Sequence, residues 1–280
     1  MLAYRHLFHA GNFCDVFKHA LLVRLLLLLA QKDKPFCYLD THAGIGSYDL
    51  SHAWAQKLTE YKDGIERLWQ RDDVPGLLEP YLRIVRAHNR DAQLRFYPGS
   101  PIIARELLRP TDRMVLVELS KEDCARLERV MAGDPRAKVV NDDGYHALKA
   151  FLPPHERRGL TLIDSPFDRA GEFERLTQAV TLAQRRFATG VCALWYPLME
   201  PPAMHLFERD MAATGVRKIL QAELSVFGSK WRVSLRGCGM MVVNPPYGFE
   251  QQARALLEWL WPVLSEDKQG GVRVRWLVPE

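Results

Sequence analysis

No two cysteines in this chain of 280 residues stand at the close spacing of a zinc ribbon or a dithiol redox motif. The five present, Cys14, Cys37, Cys124, Cys192 and Cys238, are scattered, and Cys37, Cys192 and Cys238 lie in apolar strand-like runs. They read as reduced packing residues of a cytoplasmic protein. The sequence has no Gly-x-Ser-x-Gly elbow of a Ser-His-Asp hydrolase and no Gly-rich phosphate loop ending in Gly-Lys-Ser/Thr. His6, His9, Cys14 and His19 sit near the amino terminus, but their spacing matches no zinc pattern, so no metal is expected. The longest apolar run, Ala20 to Ala30, contains Arg24 and is well short of the roughly 20 apolar residues a membrane span needs. No charged leader followed by a small-residue cleavage site is visible, and neither export nor membrane attachment is expected. Charge of one sign is also modest: the net charge is +4 and the pI near 8.8, which suits a nucleic-acid face without requiring one.

What is present describes an ordinary globular chain, 48% hydrophobic and 26% charged, with ample core. There is no internal repeat, low-complexity tract or interdomain linker, so residues 1–280 are expected to form a single domain. Strand and helix patterns alternate. Short apolar runs at Phe36–Asp40, Met114–Glu118, Ala137–Val140, Gly159–Ile163 and Val191–Tyr196 are separated by helical stretches, which predicts an α/β fold with a largely parallel sheet. Two later β-like runs, Lys218–Val226 and Gly239–Val243, suggest a closing antiparallel pair, and Val272–Val278 is either a last strand or a surface tail. The helix near the amino terminus is expected to be capped by Asp15 and to run to about Gln31, mostly buried. Residues 47–95 interrupt the alternation with helical stretches rich in Tyr, Trp, Arg and Lys, predicting a helical insertion at the ligand edge of the sheet.

Four strands end in acids, in the order Asp40, Glu118, Asp143 and Asp164, with Ala43-Gly44-Ile45-Gly46 after the first and Gly144 after the third. In an open α/β sheet, ligands bind at these carboxyl ends, and glycines let the backbone approach them closely. The third glycine of the dinucleotide fingerprint is missing, which disfavours a pyrophosphate and leaves a smaller adenosine ligand. An acid after the second strand accepts both ribose hydroxyls, Asp143 takes an adenine amino group, and the first turn admits an amino-acid tail. These features together predict an S-adenosylmethionine cleft.

Asp164-Ser165-Pro166-Phe167 closes the fourth strand with a carboxylate, a proline and a ring. The exocyclic amine of adenine or cytosine is a poor nucleophile because its lone pair is delocalised into the ring. Asp164 and the Ser165 carbonyl are expected to accept its hydrogens, Pro166 to hold Ser165 extended, and Phe167 to stack the extruded base. Several neighbours have two readings from the residues alone: His19 is structural or a ligand contact, Ser100 a helix cap or a ligand contact, and the polar-aromatic stretch from Met1 to Asn12 a packed arm or a functional one.

The motifs Tyr4-Arg5-His6, His9-Ala10-Gly11-Asn12, Lys18-His19, Asp40-Thr41-His42-Ala43-Gly44, Tyr97-Pro98-Gly99-Ser100-Pro101, Ala193-Leu194-Trp195-Tyr196-Pro197 and Trp276-Leu277-Val278-Pro279-Glu280 resemble those of the bacterial 23S ribosomal RNA adenine-N6 methyltransferases of the RlmJ family. The likeness runs from the first residues to the last. It implies a Rossmann-like class I methyltransferase with a helical insertion, S-adenosylmethionine as donor, and an adenosine of 23S ribosomal RNA as target. By the same resemblance His19, His42, Ser100, Glu118, Asp143, Gly144 and Asp164 match cofactor contacts, Asp164 also the catalytic residue, and Tyr4 a residue that meets the RNA. The family pattern has proline where Ser165 stands, so Asp164 loses a pre-proline restriction and a slightly looser loop is expected. A better-spelled motif, Asn244-Pro245-Pro246-Tyr247, follows the last sheet strands and is read as the end of an edge strand. A DNA adenine or cytosine methyltransferase and a non-catalytic nucleic-acid-binding protein on the same scaffold are the alternatives. The protein is expected to be a monomer.

Overall fold

The computed structural model describes residues 5–89, 91, 93–227, 236–265 and 268–280. Its centre is β1 (Cys37–Asp40), a strand buried along its whole length. Alternate residues face opposite ways: Tyr38 joins the core on one side of the sheet, while Cys37 and Leu39 join the core on the other. Burial on both faces explains why the parallel strands read as continuous apolar runs.

Around β1 lie β4 (Arg113–Val117), β5 (Ala137–Val140), β6 (Gly159–Ile163) and β7 (Val191–Leu198), all parallel. The antiparallel strands β8 (Ile219–Ser225), β9 (Gly237–Val243) and β10 (Gly271–Val278) complete an eight-stranded sheet of order β10-β8-β9-β7-β6-β1-β4-β5. The chain steps outward from β1 through β4 to β5, then returns to the other side of β1 as β6. The strand order therefore reverses between β1 and β6, which is where doubly wound sheets open a ligand crevice. The last run is thus a strand, pairing with β8.

One face of the sheet is covered by α1 (Phe13–Ala30), α4 (Glu79–Ala87), α5 (Ser100–Leu107), α6 (Lys121–Met131) and α10 (Phe249–Leu264), the other by α7 (Gly144–Phe151), α8 (Glu172–Arg186) and α9 (Pro201–Ala212). Helix α10 has no counterpart in the sequence expectations. Its Pro262 and two tryptophans, Trp259 and Trp261, obscure an amphipathic period whose buried side is Ala253, Leu256, Leu257 and Leu260. Among the described residues no helix is long and apolar enough to cross a membrane.

Two helix starts differ from expectation. Asn12, not Asp15, caps α1, its side chain accepting the Asp15 amide at 2.9 Å. Asp15 turns inward instead, because His6, the Gly11 amide and Lys18 all converge on its carboxylate. Likewise α5 begins on Ser100 itself, with Gly99 as the cap residue, which frees the serine hydroxyl for the site.

Residues 47–98 leave and rejoin the sheet through a small two-stranded ribbon, β2 (Ser47–Asp49) with β3 (Phe96–Pro98). Between them lie α2 (Ala53–Leu58), a 3-10 turn Glu60–Asp63, α3 (Glu66–Trp69) and α4. Tyr61, Ile65, Leu68, Tyr81 and Leu82 of this region share the core of α1. The arm before α1 is fastened to it: the Ile65 amide donates to the Gly11 carbonyl at 2.8 Å, and Glu60 accepts from Asn12 and engages His9, each at 3.0 Å.

On the other face α7 starts pressed against the end of β1. A Cβ on Gly144 would lie 2.0 Å from the Thr41 carbonyl oxygen and 3.0 Å from the His42 ring. Gly144→Ala is expected to lower unfolding free energy by about 1–3 kcal/mol, read from urea denaturation, because backbone on both sides has to move apart.

Candidate active site

Three of the four acids at the strand ends are held by different means, and their chemistry differs accordingly. Asp40, at the end of β1, is completely buried. It accepts a hydrogen bond from Tyr38 at 2.8 Å, one from the Ser100 hydroxyl, and a long one from the His42 amide at 3.3 Å. Burial outweighs these donors and pushes its carboxyl from the ordinary 3.8 up to about 6. Glu118, just after β4, is tied to the first glycine turn: the Gly44 amide donates to it at 3.0 Å and the Ser120 amide at 2.8 Å. Burial raises its carboxyl while those amides oppose the rise. Asp143 caps α7, accepting from the amides of Tyr145 and His146 at 2.8 and 3.2 Å.

The turn after β1 carries two residues in the left-handed region, Gly44 at φ +62° and Gly46 at φ +80°, which explains its glycines. A Cβ at Gly44 would approach the Tyr48 hydroxyl to 2.3 Å, so the turn is also too crowded for a side chain. His42 stands between the first and third strand ends, beside Gly144 and edge-on to Tyr145 at 5.4 Å. Burial lowers its imidazole, which favours the neutral form.

Asp164, past the end of β6, makes a charged contact that its local sequence does not announce. Lys18 of α1, almost fully buried, donates to its Oδ2 at 2.5 Å and pairs with Asp15 Oδ1 at 2.8 Å. Burial acts to discharge Lys18, but the two carboxylates outweigh it and hold the ammonium well above its ordinary range. Asp15 in turn is raised by burial and lowered further by His6 and Lys18, ending well below the usual carboxylate range. The only local signal for this triad was the Asp15–Lys18 spacing of one helical turn; the link to Asp164 spans 146 residues.

The other expected residues divide. His19 is buried, bonded through Nδ1 to the Tyr97 hydroxyl at 2.7 Å, and burial beside Lys18 drives its imidazole well below its ordinary value. Through Tyr97 the ring is linked to β3, three residues before Ser100. Phe167 adopts φ +52° and packs edge-on against Phe173 at 5.0 Å and Trp195 at 5.8 Å. Ser165 is buried and donates to Glu172, a contact with no signal in the local sequence. Tyr4 lies outside the described residues. The second motif is on the far side, and its strand is not at an edge, since β9 pairs with β7 on one side and β8 on the other. Strand β9 runs antiparallel to β7, so Val243 pairs with Cys192 near the start of β7, and Asn244 Nδ2 donates to the carbonyls of Ala188 and Gly190 at 2.8 and 3.0 Å. Tyr247 is fully exposed there.

Acids at successive strand ends, a glycine turn closed to side chains and a reversal of strand order beside a buried cation–carboxylate pair are the features of an S-adenosylmethionine-dependent methyltransferase of class I. The sequence profile described as "Ribosomal RNA large subunit methyltransferase D, RlmJ" matches residues 33–278. The chain belongs to this RlmJ family. It is 46% identical over 280 residues to the Escherichia coli (strain K12) protein named "Ribosomal RNA large subunit methyltransferase J", with 100% of each chain covered. It is 41% identical to the Haemophilus influenzae protein of the same name, again with 100% of each covered. Among solved structures, protein LPL1258 of Legionella pneumophila superposes with a TM-score of 0.87 at 35% identity, over 95% of this chain and 97% of that one.

The raised carboxyl of Asp40 has a consequence for stability. Between about pH 4 and pH 6 the folded state holds this proton and the unfolded state has lost it, so the contribution declines as pH rises through that window. Wild type is therefore expected to gain about 1 kcal/mol on Asp40→Asn when urea unfolding is repeated at about pH 5 instead of about pH 7.5. An unchanged difference means that Asp40 titrates at its ordinary value.

Proposed function

We propose that this protein transfers a methyl group to the N6 amine of an adenosine in 23S ribosomal RNA, with Asp164 as the catalytic residue. The observation that carries this reading is the position of Asp164: at the switch point of the sheet, beside β1, with one carboxylate oxygen fixed by Lys18. Glu118 is the group to receive the ribose hydroxyls of the donor and Asp143 its adenine amino group, while the turn from His42 to Gly46 and the Ser100–Asp40 pair line the amino-acid end. Gly144 keeps the third strand end small enough for the ligand to lie against it. S-adenosylmethionine supplies an electrophilic methyl on a sulfonium.

The protein's own contribution is to prepare the amine. Lys18 occupies Asp164 Oδ2, so Oδ1 is the oxygen left to accept one amine hydrogen, and the Ser165 carbonyl accepts the other. Both bonds draw the lone pair out of the ring and onto the nitrogen. Asp164 is then the base for the amine proton that becomes surplus on methylation. Phe167, braced by Phe173 and Trp195, offers its ring to the base. Fixed groups of this kind act through alignment and preorganised charge.

The arm and the helical insertion supply the RNA side. Trp54 is 38% exposed, Phe8 stacks on it at 5.2 Å, and the Arg5 guanidinium lies 5.9 Å from its ring centre. A cation with stacked rings suits unpaired nucleotides better than a duplex, and Tyr4 adjoins this cluster in sequence. We further read the protein as a monomer of the cytoplasm that uses neither a metal nor a membrane; all five cysteines are buried and free, as suits a reducing compartment.

Radiolabelled transfer onto deproteinised 23S RNA tests the reading. Wild type is expected to label RNA and not duplex DNA, with N6-methyladenosine as the product. Asp164→Ala is expected to lose at least about 1000-fold in rate. Asn244→Ala is expected to keep its rate per folded molecule while losing about 1–2 kcal/mol of stability with its two backbone contacts. The reverse pattern would move the catalytic assignment to the other edge of the sheet, and labelling of DNA alone would remove the RNA reading.

A further inference from the structure

At Ser165, before Pro166, a side-chain bond ties down the loop that follows β6. Ser165 is 2% exposed and its hydroxyl donates to Glu172 Oε1; Glu172, 4% exposed, is the first residue of α8. The same oxygen also accepts the hydroxyl of Tyr145, from the first turn of α7. Two donors converging on one oxygen require an acceptor, which an ionised carboxylate provides. Its charge is met by the amino-terminal end of α8 and by Arg175, 3.4 Å from Oε2. Arg175 also lies 4.4 Å from the centre of the Tyr145 ring and 3.6 Å from Asp143.

We propose that Glu172 is a positioning residue for methyl transfer, holding the Ser165 peptide in place of a ring constraint and locking it to the turn that binds the donor. The proposal rests on the amine-gripping role given above to Asp164 and the Ser165 carbonyl. A proline at 165 would restrict Asp164 through its own ring. Serine lacks that ring, and the peptide between Asp164 and Ser165 is kept in register by the side-chain bond instead. The bond reaches further than a proline can. Tyr145 follows Asp143 and Gly144 directly and touches His42, so Glu172 spans from the loop that grips the base to the strand ends that hold the donor. Its loss loosens the distance between the two reactants without removing any group that binds either one.

The signature is a rate defect without a binding defect, cured by restoring the ring. Single-turnover methyl transfer, donor affinity by calorimetry and RNA affinity by filter binding are measured for Glu172→Ala, Glu172→Gln, Ser165→Pro and the pair Ser165→Pro with Glu172→Ala. Glu172→Ala is expected to lower the transfer rate about 10- to 100-fold while both affinities stay within about 3-fold of wild type. Adding Ser165→Pro is expected to bring that rate back to within about 5-fold of wild type. Glu172→Gln, which keeps the size and an acceptor oxygen, falls between and serves as the measured variant if Glu172→Ala fails to fold.

A rate in both Glu172 variants within about 3-fold of wild type overturns the proposal. So does a defect that Ser165→Pro leaves uncured, or one that appears equally as lost donor binding. Failure of the underlying reading looks different: wild type itself then labels no RNA adenosine. If it labels DNA, the four variants are compared on that substrate and the Glu172 outcome is still decided.

Discussion

One ammonium group, that of Lys18, holds the architecture of the site together. It is sealed between Asp15 and Asp164, and through Asp15 it reaches His6 and the Gly11 amide of the amino-terminal arm. A charge that far from water is tolerated only while its partners are present, and removal of one partner from such an arrangement typically costs about 3–5 kcal/mol. The triad therefore fixes three things at once: the depth of α1 against the sheet, the course of the arm, and the direction in which the Asp164 carboxylate is presented. Because Asn12 caps α1 and also donates to Glu60, the insertion is drawn into the same arrangement. The amino-terminal arm and the end of β6 are consequently joined by one chain of bonds.

The remaining acids show how a crevice lined with carboxylates avoids mutual repulsion. Asp40 is shielded under the site by Tyr38 and Ser100, with burial favouring its proton. Glu118 is partly compensated by amides of the turn it serves, and Asp143 by the first amides of α7. Each acid thus has its own neutralising environment, and the four do not compete for a common cation. That separation lets one end of the sheet carry four carboxylates close together.

The parallel strands and their acids were legible in the sequence because both faces of the sheet are buried, which turns each strand into an uninterrupted apolar run with a polar stop. The order Asp40, Glu118, Asp143, Asp164 needed only those stops. The closing strands β8 and β9 were visible for the same reason, whereas β10, largely unburied at the edge of the sheet, left a last strand and a surface tail both open. What the sequence withheld were contacts between distant elements. Lys18 looked like a first-turn residue of a helix, yet its role is decided 146 residues later. Ser165 looked like a loosened loop, yet Glu172 and Tyr145 come from two different helices to hold it. Local signals also misled where two solutions were equally good: Asn12 and Asp15 both suit a cap, and only the cluster around Asp15 decides between them. The bond of His19 to Tyr97, 78 residues away, is another contact between distant elements. Helix α10 escaped because a proline and tryptophans dilute its period.

Strand direction separates the two similar motifs of the chain. Because β9 runs against its neighbour, Asn244-Pro245-Pro246-Tyr247 emerges at the edge of the sheet opposite to Asp164, with its tyrosine wholly in solvent. Pro245 and Pro246 lead away from the sheet there, whereas Asn244 is held by its two bonds to the chain before β7 and adopts a left-handed backbone. Two similar spellings in one chain are thus told apart by strand polarity, which their letters do not carry.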